Sequence, residues 1–182
     1  MTLSLKIKVL IQLGLVTTSV FIIYTWLVVN SYRSDYLEAI RTRSVALASL
    51  VKTKAEEQIS SLKGEISGLG ILTLDLKRIV ETNENVTHAF IFSPDGRIVS
   101  HNNISRVNTA ISRYLLDKIR SDSRGLIIRV EESYDTFVPI YHQSRTPVAY
   151  ITIGFPARVI EEKTWAIVWK FFVLLIVFLG IS

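Results

Sequence analysis

The 182-residue sequence contains no cysteine and only three histidines. Without cysteine the chain cannot form a disulfide framework, a thiolate zinc site or a cysteine nucleophile. The histidines are not spaced as metal ligands, and no phosphate-binding, zinc-protease or serine-hydrolase motif occurs. No run of five like charges is present, although 21 basic residues exceed 16 acidic ones. We therefore expect no catalytic residues, no metal, no cofactor and no nucleic-acid partner in this stretch.

Charged side chains are missing from one long segment near the amino terminus. Residues 9–29 contain no charged side chain over 21 positions. A helix of that length spans about 30 Å, the thickness of the hydrocarbon core of a bilayer. Tyr24 and Trp26 lie near its far end, where aromatic side chains favour the membrane interface. Two lysines precede the segment, so the positive-inside rule places residues 1–8 in the cytoplasm.

A cleaved signal peptide is the alternative interpretation of residues 9–29. The apolar core of a signal peptide usually has about 7–15 residues, fewer than this segment contains. The sequence Val28-Val29-Asn30 is also a poor cleavage site. We therefore expect an uncleaved membrane anchor, the first transmembrane helix.

A second apolar segment closes the sequence at residues 165–182. Lys170 lies inside it, and its long stem can carry the charge outward to the interface. The 12 residues that follow Lys170 make about 18 Å of helix, which is too short to cross a bilayer. We expect an incomplete second transmembrane helix of a protein that continues. A complete two-helix protein with a frayed end is the alternative.

Residues 30–164, between the two apolar segments, are predicted to form an extracytoplasmic domain. A stretch of roughly 130 residues can bury a core of its own. Residues 31–62 contain no proline or glycine and predict one helix continuous with the first membrane segment. Its buried stripe is predicted at helical spacing, at Ile40, Ser44, Leu47, Val51, Ala55, Ile59 and Leu62. Three glycines, Gly64, Gly68 and Gly70, are predicted to end this helix.

The rest of the domain alternates between short helical and strand-like patterns. Helices are predicted at residues 73–83 and 107–120, and strands at residues 87–93, 97–102, 125–130, 134–141 and 148–155. The turn Pro94-Asp95-Gly96 between the first two strands is the strongest hairpin signal in the chain. The order predicts an α+β fold, with one five-stranded antiparallel sheet and helices packed on it.

This arrangement resembles the single Cache domains, PAS-like sensors that lie between two membrane helices in bacterial histidine kinases, chemoreceptors and cyclic-dinucleotide enzymes. Residues 86–102 (VTHAFIFSPDGRIVSHN) are similar to the family's hairpin, and residues 138–160 (VPIYHQSRTPVAYITIGFPARVI) to its closing strands. Residues 45–51 and 74–86 look like the outer part of hybrid sensor kinases. The resemblance covers the whole predicted domain and rests on order and spacing, without an invariant motif.

The resemblance implies a PAS-like sheet with a ligand pocket on one face and a homodimer formed through the long helix. It also implies a cytoplasmic output module, often preceded by a HAMP linker. In citrate- and dicarboxylate-sensing members, an arginine and a histidine three residues later bind a carboxylate. Arg97 and His101 take the comparable place here but are four residues apart. In a regular strand a spacing of four puts both side chains on one face, whereas a spacing of three does not.

Cations and aromatic rings on the predicted strands are the candidates for a small-molecule site. The predicted ligand-binding residues are Arg97, His101, Arg129, Tyr134 and Phe137. The forked donors of arginine fit an anion such as a carboxylate, and the rings can supply apolar walls. The alternative is that both arginines are solvated charges on half-exposed strands. Adjacent acidic pairs such as Glu131-Glu132 point apart, so they do not indicate a catalytic carboxylate pair.

These features favour the sensory and membrane part of a bacterial receptor in the inner (plasma) membrane. We expect it to bind an extracytoplasmic small molecule and to signal to a histidine kinase of a two-component system. A chemoreceptor or a diguanylate cyclase is the alternative output. A membrane scaffold that senses nothing is the alternative class, and a membrane enzyme is disfavoured because catalytic motifs are missing.

Overall fold

The structure, a computed structural model, describes residues 5–61, 65–121, 127–142 and 146–181. The chain forms two compact units. The first comprises Met1–Tyr36 together with Val159–Ser182, and the second comprises Leu37–Arg158. The second unit contains the whole β-sheet, and we call it the sheet domain.

In the first unit, a long helix satisfies its own polar side chains. Helix α1 comprises Leu5–Ser61. The hydroxyls of Thr18, Ser19 and Thr25 each donate to the carbonyl four residues earlier, at 2.8 Å. Such bonds make small polar residues tolerable in an apolar segment. Among the described residues, α1 is the one helix whose length and composition suit a membrane crossing, so a second crossing at residues 165–182 stays a prediction.

In the sheet domain, α1 buries one stripe of small and apolar side chains. The buried residues are Ile40, Ser44, Ala48, Val51, Ala55 and Ile59. The predicted stripe is confirmed except that Ala48 is buried where Leu47 was expected. At about 100° per residue, Ala48 lies closer than Leu47 to the centre of the face that Ser44, Val51 and Ala55 define. Leu62 and Gly64 lie outside the described residues.

A second, short helix follows α1. A 3₁₀ helix, Ser67–Leu72, leads into α2, which comprises Thr73–Thr82, so the helix predicted at residues 73–83 is confirmed. Leu76 and Ile79 of α2 are buried in the domain. The spacing of three between them places both on the face of α2 that packs inward.

Five strands form one antiparallel sheet, as predicted. Their bounds are β1 His88–Phe92, β2 Ile98–His101, β3 Ile127–Val130, β4 Ser133–Tyr141 and β5 Pro147–Pro156. The strand order is β2-β1-β5-β4-β3, and all neighbouring strands are antiparallel. The central strand β5 pairs with both β1 and β4. Side chains of β1, which is distant in the sequence, therefore meet those of the consecutive strands β4 and β5.

The predicted turn joins β1 to β2. The backbone N–H of Gly96 donates to the carbonyl of Ser93 at 2.8 Å, and Gly96 has a φ of 92°. A positive φ suits glycine because it has no Cβ. A hydrogen bond from the Ser93 hydroxyl is the main cause that lowers the pKa of Asp95. Local chemistry therefore specifies this hairpin.

The next helix begins later than the sequence pattern predicts. Helix α3 comprises Arg113–Ser121, whereas the pattern indicated residues 107–120. The backbone N–H of Asn108 donates to the carbonyl of Ile98 in β2 at 2.8 Å, and Asn108 has a φ of 70°. This left-handed residue cannot belong to a right-handed helix. The segment before α3 therefore follows β2, and the prediction of a helix there is wrong.

The sheet has two buried faces. One face, the α1 face, contacts the first two helices: the Thr136 hydroxyl bonds Ser44 of α1 and the Ser100 hydroxyl bonds Thr73 of α2, each at 3.0 Å. We call the opposite face the aromatic face. It consists of Phe90, Phe92, Ile98, Ile128, Phe137 and Tyr150, which pack with Leu115, Leu116 and Ile119 of α3.

The last strand leads directly into the last helix. Helix α4 comprises Ala157–Ile181 and starts at the residue after β5 ends. The backbone N–H of Ala157 donates to the carbonyl of Glu132, in the turn before β4, at 2.8 Å. The start of α4 is therefore attached to two strands of the sheet.

Candidate functional site

A cluster of aromatic rings fills the centre of the aromatic face. Phe92 is fully buried, and its ring centroid lies 5.2 Å from that of Tyr150, 5.9 Å from Phe90 and 6.1 Å from Phe137. Burial raises the pKa of the Tyr150 hydroxyl above its ordinary value. This part of the face is packed core.

Beside these rings, a buried carboxylate holds a histidine. Asp135 of β4 is 3% exposed, and its two carboxylate oxygens have different partners. The Ser133 hydroxyl donates to Oδ1 at 2.6 Å, and Nε2 of His88 lies 3.2 Å from Oδ2. Because a carboxylate only accepts, Nε2 carries the hydrogen in this pair. The other ring nitrogen of His88 lies 3.0 Å from the Thr87 hydroxyl, so the imidazole is fixed at both ends.

A glycine in the central strand makes room for this histidine. Gly154 of β5 lies opposite His88 on one side and Asp135 on the other. A Cβ at position 154 would overlap the His88 ring. Glycine is therefore required at position 154 as long as the imidazole lies across β5.

The neighbouring residue on this face of β5 carries a hydroxyl without a partner. Thr152 is fully buried, and its Oγ1 makes no hydrogen bond to any described residue. It lies opposite Phe90 and Phe137, so its side chain projects from the aromatic face between two rings. An unsatisfied buried hydroxyl costs about 1–3 kcal/mol. We call His88, Ser133, Asp135, Thr152 and Gly154 the polar cluster.

His101 lies on the far side of Phe90 from His88. Its ring is parallel to that of Phe90 within 5°, at a centroid distance of 5.4 Å. The backbone N–H of Asn103 donates to Nδ1 at 2.8 Å, so the neutral ring carries its hydrogen on Nε2. Burial is the main cause that lowers the pKa of His101 from 6.5 to about 4, with the positive charges of His88 and Arg106 as further causes. The ring is therefore neutral at pH 7.

This depressed pKa predicts a loss of stability in mild acid. The unfolded His101 takes up a proton near pH 6.5, whereas the folded ring does so only near pH 4. The contribution of the neutral His101 ring to the free energy of unfolding is therefore complete above pH 6.5, and it is lost as the pH falls towards 4. From pH 7.5 to pH 5 we expect the free energy of unfolding to drop by about 2 kcal/mol, measured by urea unfolding of the whole chain in detergent micelles.

The control for this prediction is a second histidine. His101→Asn, whose side-chain oxygen can still accept from Asn103, should remove most of the pH dependence. His142→Asn, at a half-buried position after β4, should retain it. An equal pH dependence in wild type and His101→Asn would show that other groups cause the loss.

The first two predicted binding residues do not lie side by side. The pairing of β1 with β2 shifts register between Ile91 and Phe92, so both Ile98 and His101 lie on the aromatic face. Arg97 lies just outside β2, is exposed, and donates from Nη2 to the Asn108 side chain at 3.1 Å. The expectation that strand alternation places Arg97 and His101 on one face is wrong, because the extra residue in β2 interrupts the alternation.

The other three predicted binding residues are divided between the two faces. Arg129 of β3 is exposed and lies opposite Tyr134 of β4, which is buried on the α1 face. Phe137 is 2% exposed within the aromatic cluster, where it contributes packing. The structure therefore does not bring the five residues together, and their binding role stays a prediction.

Sequence reasoning missed the polar cluster. The sequence around His88 is that of an ordinary strand, and no local sequence pattern links His88 to Asp135, 47 positions later. The one usable signal was Gly154 inside an otherwise bulky strand, which often marks a close approach of another group. Among the described residues, His, Asp and Glu side chains do not gather in threes that could hold a metal ion.

Comparison with known proteins finds likeness in fold only. No family model matches the sequence, and no curated protein matches it. The solved structure of the Escherichia coli DcuS sensor domain is similar, with a TM-score of 0.52 and 14% identity. The match covers 69% of this chain and 94% of that one.

An extracellular ligand binding receptor from Desulfohalobium retbaense is also similar. The TM-score is 0.48 and the identity 12%, over 78% of this chain and 25% of that one. The strand order described above and the match to nearly all of the DcuS sensor domain agree with the resemblance seen in the sequence. The sheet domain therefore shares its fold with the DcuS sensor domain, in agreement with the resemblance to PAS-like, Cache-type domains that the sequence indicates.

Proposed function

We propose that this chain is the sensory and membrane-embedded part of a bacterial transmembrane receptor. The sheet domain binds an extracytoplasmic small molecule and passes the signal to a cytoplasmic output. The observation that carries this proposal is the fold that the domain shares with a sensor domain over 94% of that domain's length. A helix that is long and apolar enough to cross a bilayer supports it.

The proposed topology follows from the apolar segments. Residues 9–29 cross the inner (plasma) membrane, with residues 1–8 in the cytoplasm, and residues 165–182 form an incomplete second transmembrane helix. Residues 30–164 face the periplasm or the outside. The continuity of α1 supports this arrangement, because one unbroken helix contains both the apolar segment and the stripe packed on the sheet.

We place a homodimer contact along α1. Val45 and Leu50 lie on the part of α1 that belongs to the sheet domain, and they are 42% and 64% exposed. Burial of such side chains against a second copy would contribute favourably to association. A ligand would then signal by binding one arrangement of the two helices better than another.

The relay to the membrane would run through β5. Gly154, in the polar cluster, lies two residues before the end of β5, and α4 begins at Ala157. A change in the position of His88 would act on this strand, because the ring lies directly against Gly154. This short path supports a coupling between the aromatic face and α4.

The proposed output is a histidine kinase of a two-component system, with a HAMP linker before it. A chemoreceptor or a diguanylate cyclase is the alternative. The codons after Ser182 in the gene would distinguish them. A phospho-acceptor histidine box with ATP-binding motifs would identify a kinase, a GGDEF-type motif a cyclase, and a long heptad hairpin a chemoreceptor.

Ligand-induced stabilisation tests the sensing function. The whole chain in lipid nanodiscs would be melted, with circular dichroism as the readout, in acetate, succinate, citrate, glycine, butylamine and glucose. A compound present at 100 times its Kd should stabilise the fold by about 2.7 kcal/mol. We expect at least one chemical class to raise Tm saturably, at one molecule per chain.

The scaffold alternative predicts a different outcome. A domain that only mediates assembly should show the same Tm in every compound, and its Tm should rise with protein concentration alone. No saturable shift with any compound in the panel would argue against small-molecule sensing.

A further inference from the structure

Lys170 is a charged residue without a partner in the apolar part of α4. No ion pair or hydrogen bond joins Lys170 to any residue that the structure describes. The acid nearest to it along α4 is Glu162, eight residues earlier, which is about 12 Å of helix. After Lys170 the sequence contains no charged side chain. Helix α4 therefore supplies no anion near this ammonium group.

Contacts within the first unit place Lys170 at the depth of a residue on α1. The ring of Phe171 lies 5.6 Å from that of Tyr24, and the Lys163 ammonium nitrogen lies 5.8 Å from the centre of the Tyr36 ring. The residue numbers rise along α1 while they fall along α4, so the two helices are antiparallel. Lys170, next to Phe171, is therefore about level with Tyr24.

Helix α1 also lacks an anion at this depth. Tyr24 lies inside the charge-free segment, residues 9–29, five residues and about 8 Å of helix from its outer end. The next acid along α1 is Asp35, eleven residues beyond Tyr24. In the proposed topology, Lys170 is therefore a cation near the outer boundary of the hydrocarbon core. A charge in hydrocarbon is costly, and the stem of lysine lets its ammonium reach the lipid headgroups.

Exposed aromatic rings surround this depth. Trp165 and Trp169 of α4 are 70% and 63% exposed, and Trp26, two residues after Tyr24, is 64% exposed. Tryptophan favours the headgroup level of a bilayer, where its ring meets apolar chains and its N–H meets polar groups. These rings and the Lys170 ammonium therefore lie together near the level of the lipid phosphates.

We propose that the outer end of the α4 membrane segment binds an anionic phospholipid through Lys170. The ammonium donates to the lipid phosphate, and the rings of Trp165 and Trp169 pack against the upper part of the lipid. A zwitterionic lipid carries its own cation next to its phosphate, whereas phosphatidylglycerol carries a net negative charge, so Lys170 favours the anionic lipid. The inference rests on the proposed topology and adds a lipid partner to it.

Quenching of tryptophan fluorescence by brominated lipids tests this site. The whole chain carries Trp26→Phe, so that only the two α4 tryptophans report. It is reconstituted in vesicles of equal parts phosphatidylglycerol and phosphatidylcholine. One lipid or the other carries bromine at the headgroup end of its acyl chains, so the two samples differ only in the label. We expect brominated phosphatidylglycerol to quench as if about threefold enriched around the two rings.

Three variants of this Trp26→Phe parent assign the preference to one charge. Lys170→Gln removes the charge and should reduce the enrichment below about 1.5-fold, whereas Lys170→Arg keeps the charge and should keep about threefold. Lys163→Gln is the matched control. The Lys163 ammonium lies over the Tyr36 ring, about two helical turns further from the hydrocarbon core, so at least about twofold enrichment should remain.

The outcomes separate this lipid site from the topology on which it rests. Equal quenching by the two brominated lipids in the Trp26→Phe parent, or the same enrichment in Lys170→Gln, would overturn the site while α4 remained in the bilayer. An equal loss in Lys163→Gln and Lys170→Gln would show diffuse attraction to α4 in place of a site at Lys170. Quenching by neither lipid would place both α4 tryptophans outside the bilayer, which would contradict the second membrane helix itself.

Discussion

Phe92→Ala should lower the free energy of unfolding of the sheet domain by about 4 kcal/mol. The Phe92 side chain is fully buried, and three aromatic rings lie within 6.1 Å of its centroid. Removal of the Phe92 ring loses its transfer free energy and leaves a cavity among the side chains of the aromatic face. The neighbouring rings project from strands held by backbone hydrogen bonds, so they cannot collapse fully into that space.

Urea unfolding of the whole chain in micelles, followed by circular dichroism, would measure this loss. The matched control is Tyr114→Ala, since Tyr114 is an aromatic residue of α3 that is 71% exposed. It should change the free energy of unfolding by less than about 0.5 kcal/mol. A loss below about 1 kcal/mol for Phe92→Ala would mean that the aromatic face is not the packed core described here.

The second large effect is expected at Gly154. Gly154→Ala should destabilise the domain by about 3 kcal/mol, because the new Cβ would overlap the His88 ring. That ring cannot move freely. Asp135 and Thr87 hold its two nitrogens, and Phe90 stacks on it at 5.7 Å. The substitution must therefore displace the imidazole or bend β5.

A double-mutant cycle would assign this effect to the histidine. In a His88→Ala background the space over position 154 is open, so Gly154→Ala should cost at least about 2 kcal/mol less than in wild type. Gly70→Ala is the control, because a Cβ there meets its nearest atom, the Val99 carbonyl oxygen, at an ordinary 3.8 Å. Additive effects of the two substitutions would show that the ring does not lie against Gly154.

The contact between His88 and Gly154 is also relevant to the proposed signal transfer along β5. If His88 and Gly154 are coupled, a ligand that repositions His88 acts on β5 only two residues before that strand ends. A tenfold change in a two-state signalling equilibrium requires about 1.4 kcal/mol of differential binding.

Local sequence determined the elements whose cause is local. The spacing of Ile40, Ser44, Val51 and their neighbours indicates a helix with one buried stripe, because the 3.6-residue repeat is a property of the helix itself. The turn Pro94-Asp95-Gly96 indicates a hairpin, because its backbone geometry depends on those residues. Five short strands after a long helix were enough to predict the α+β class and the antiparallel sheet.

Only the tertiary structure determines which polar side chains lie next to one another. His88, Asp135 and Gly154 meet because β5 pairs with both β1 and β4, and no local pattern encodes which distant strands become neighbours. Arg97 and His101 separate because one extra residue in β2 shifts the register, and a shift of one position moves a side chain to the other face. Strand register is set by packing across the whole sheet, so the site became visible only in the folded chain.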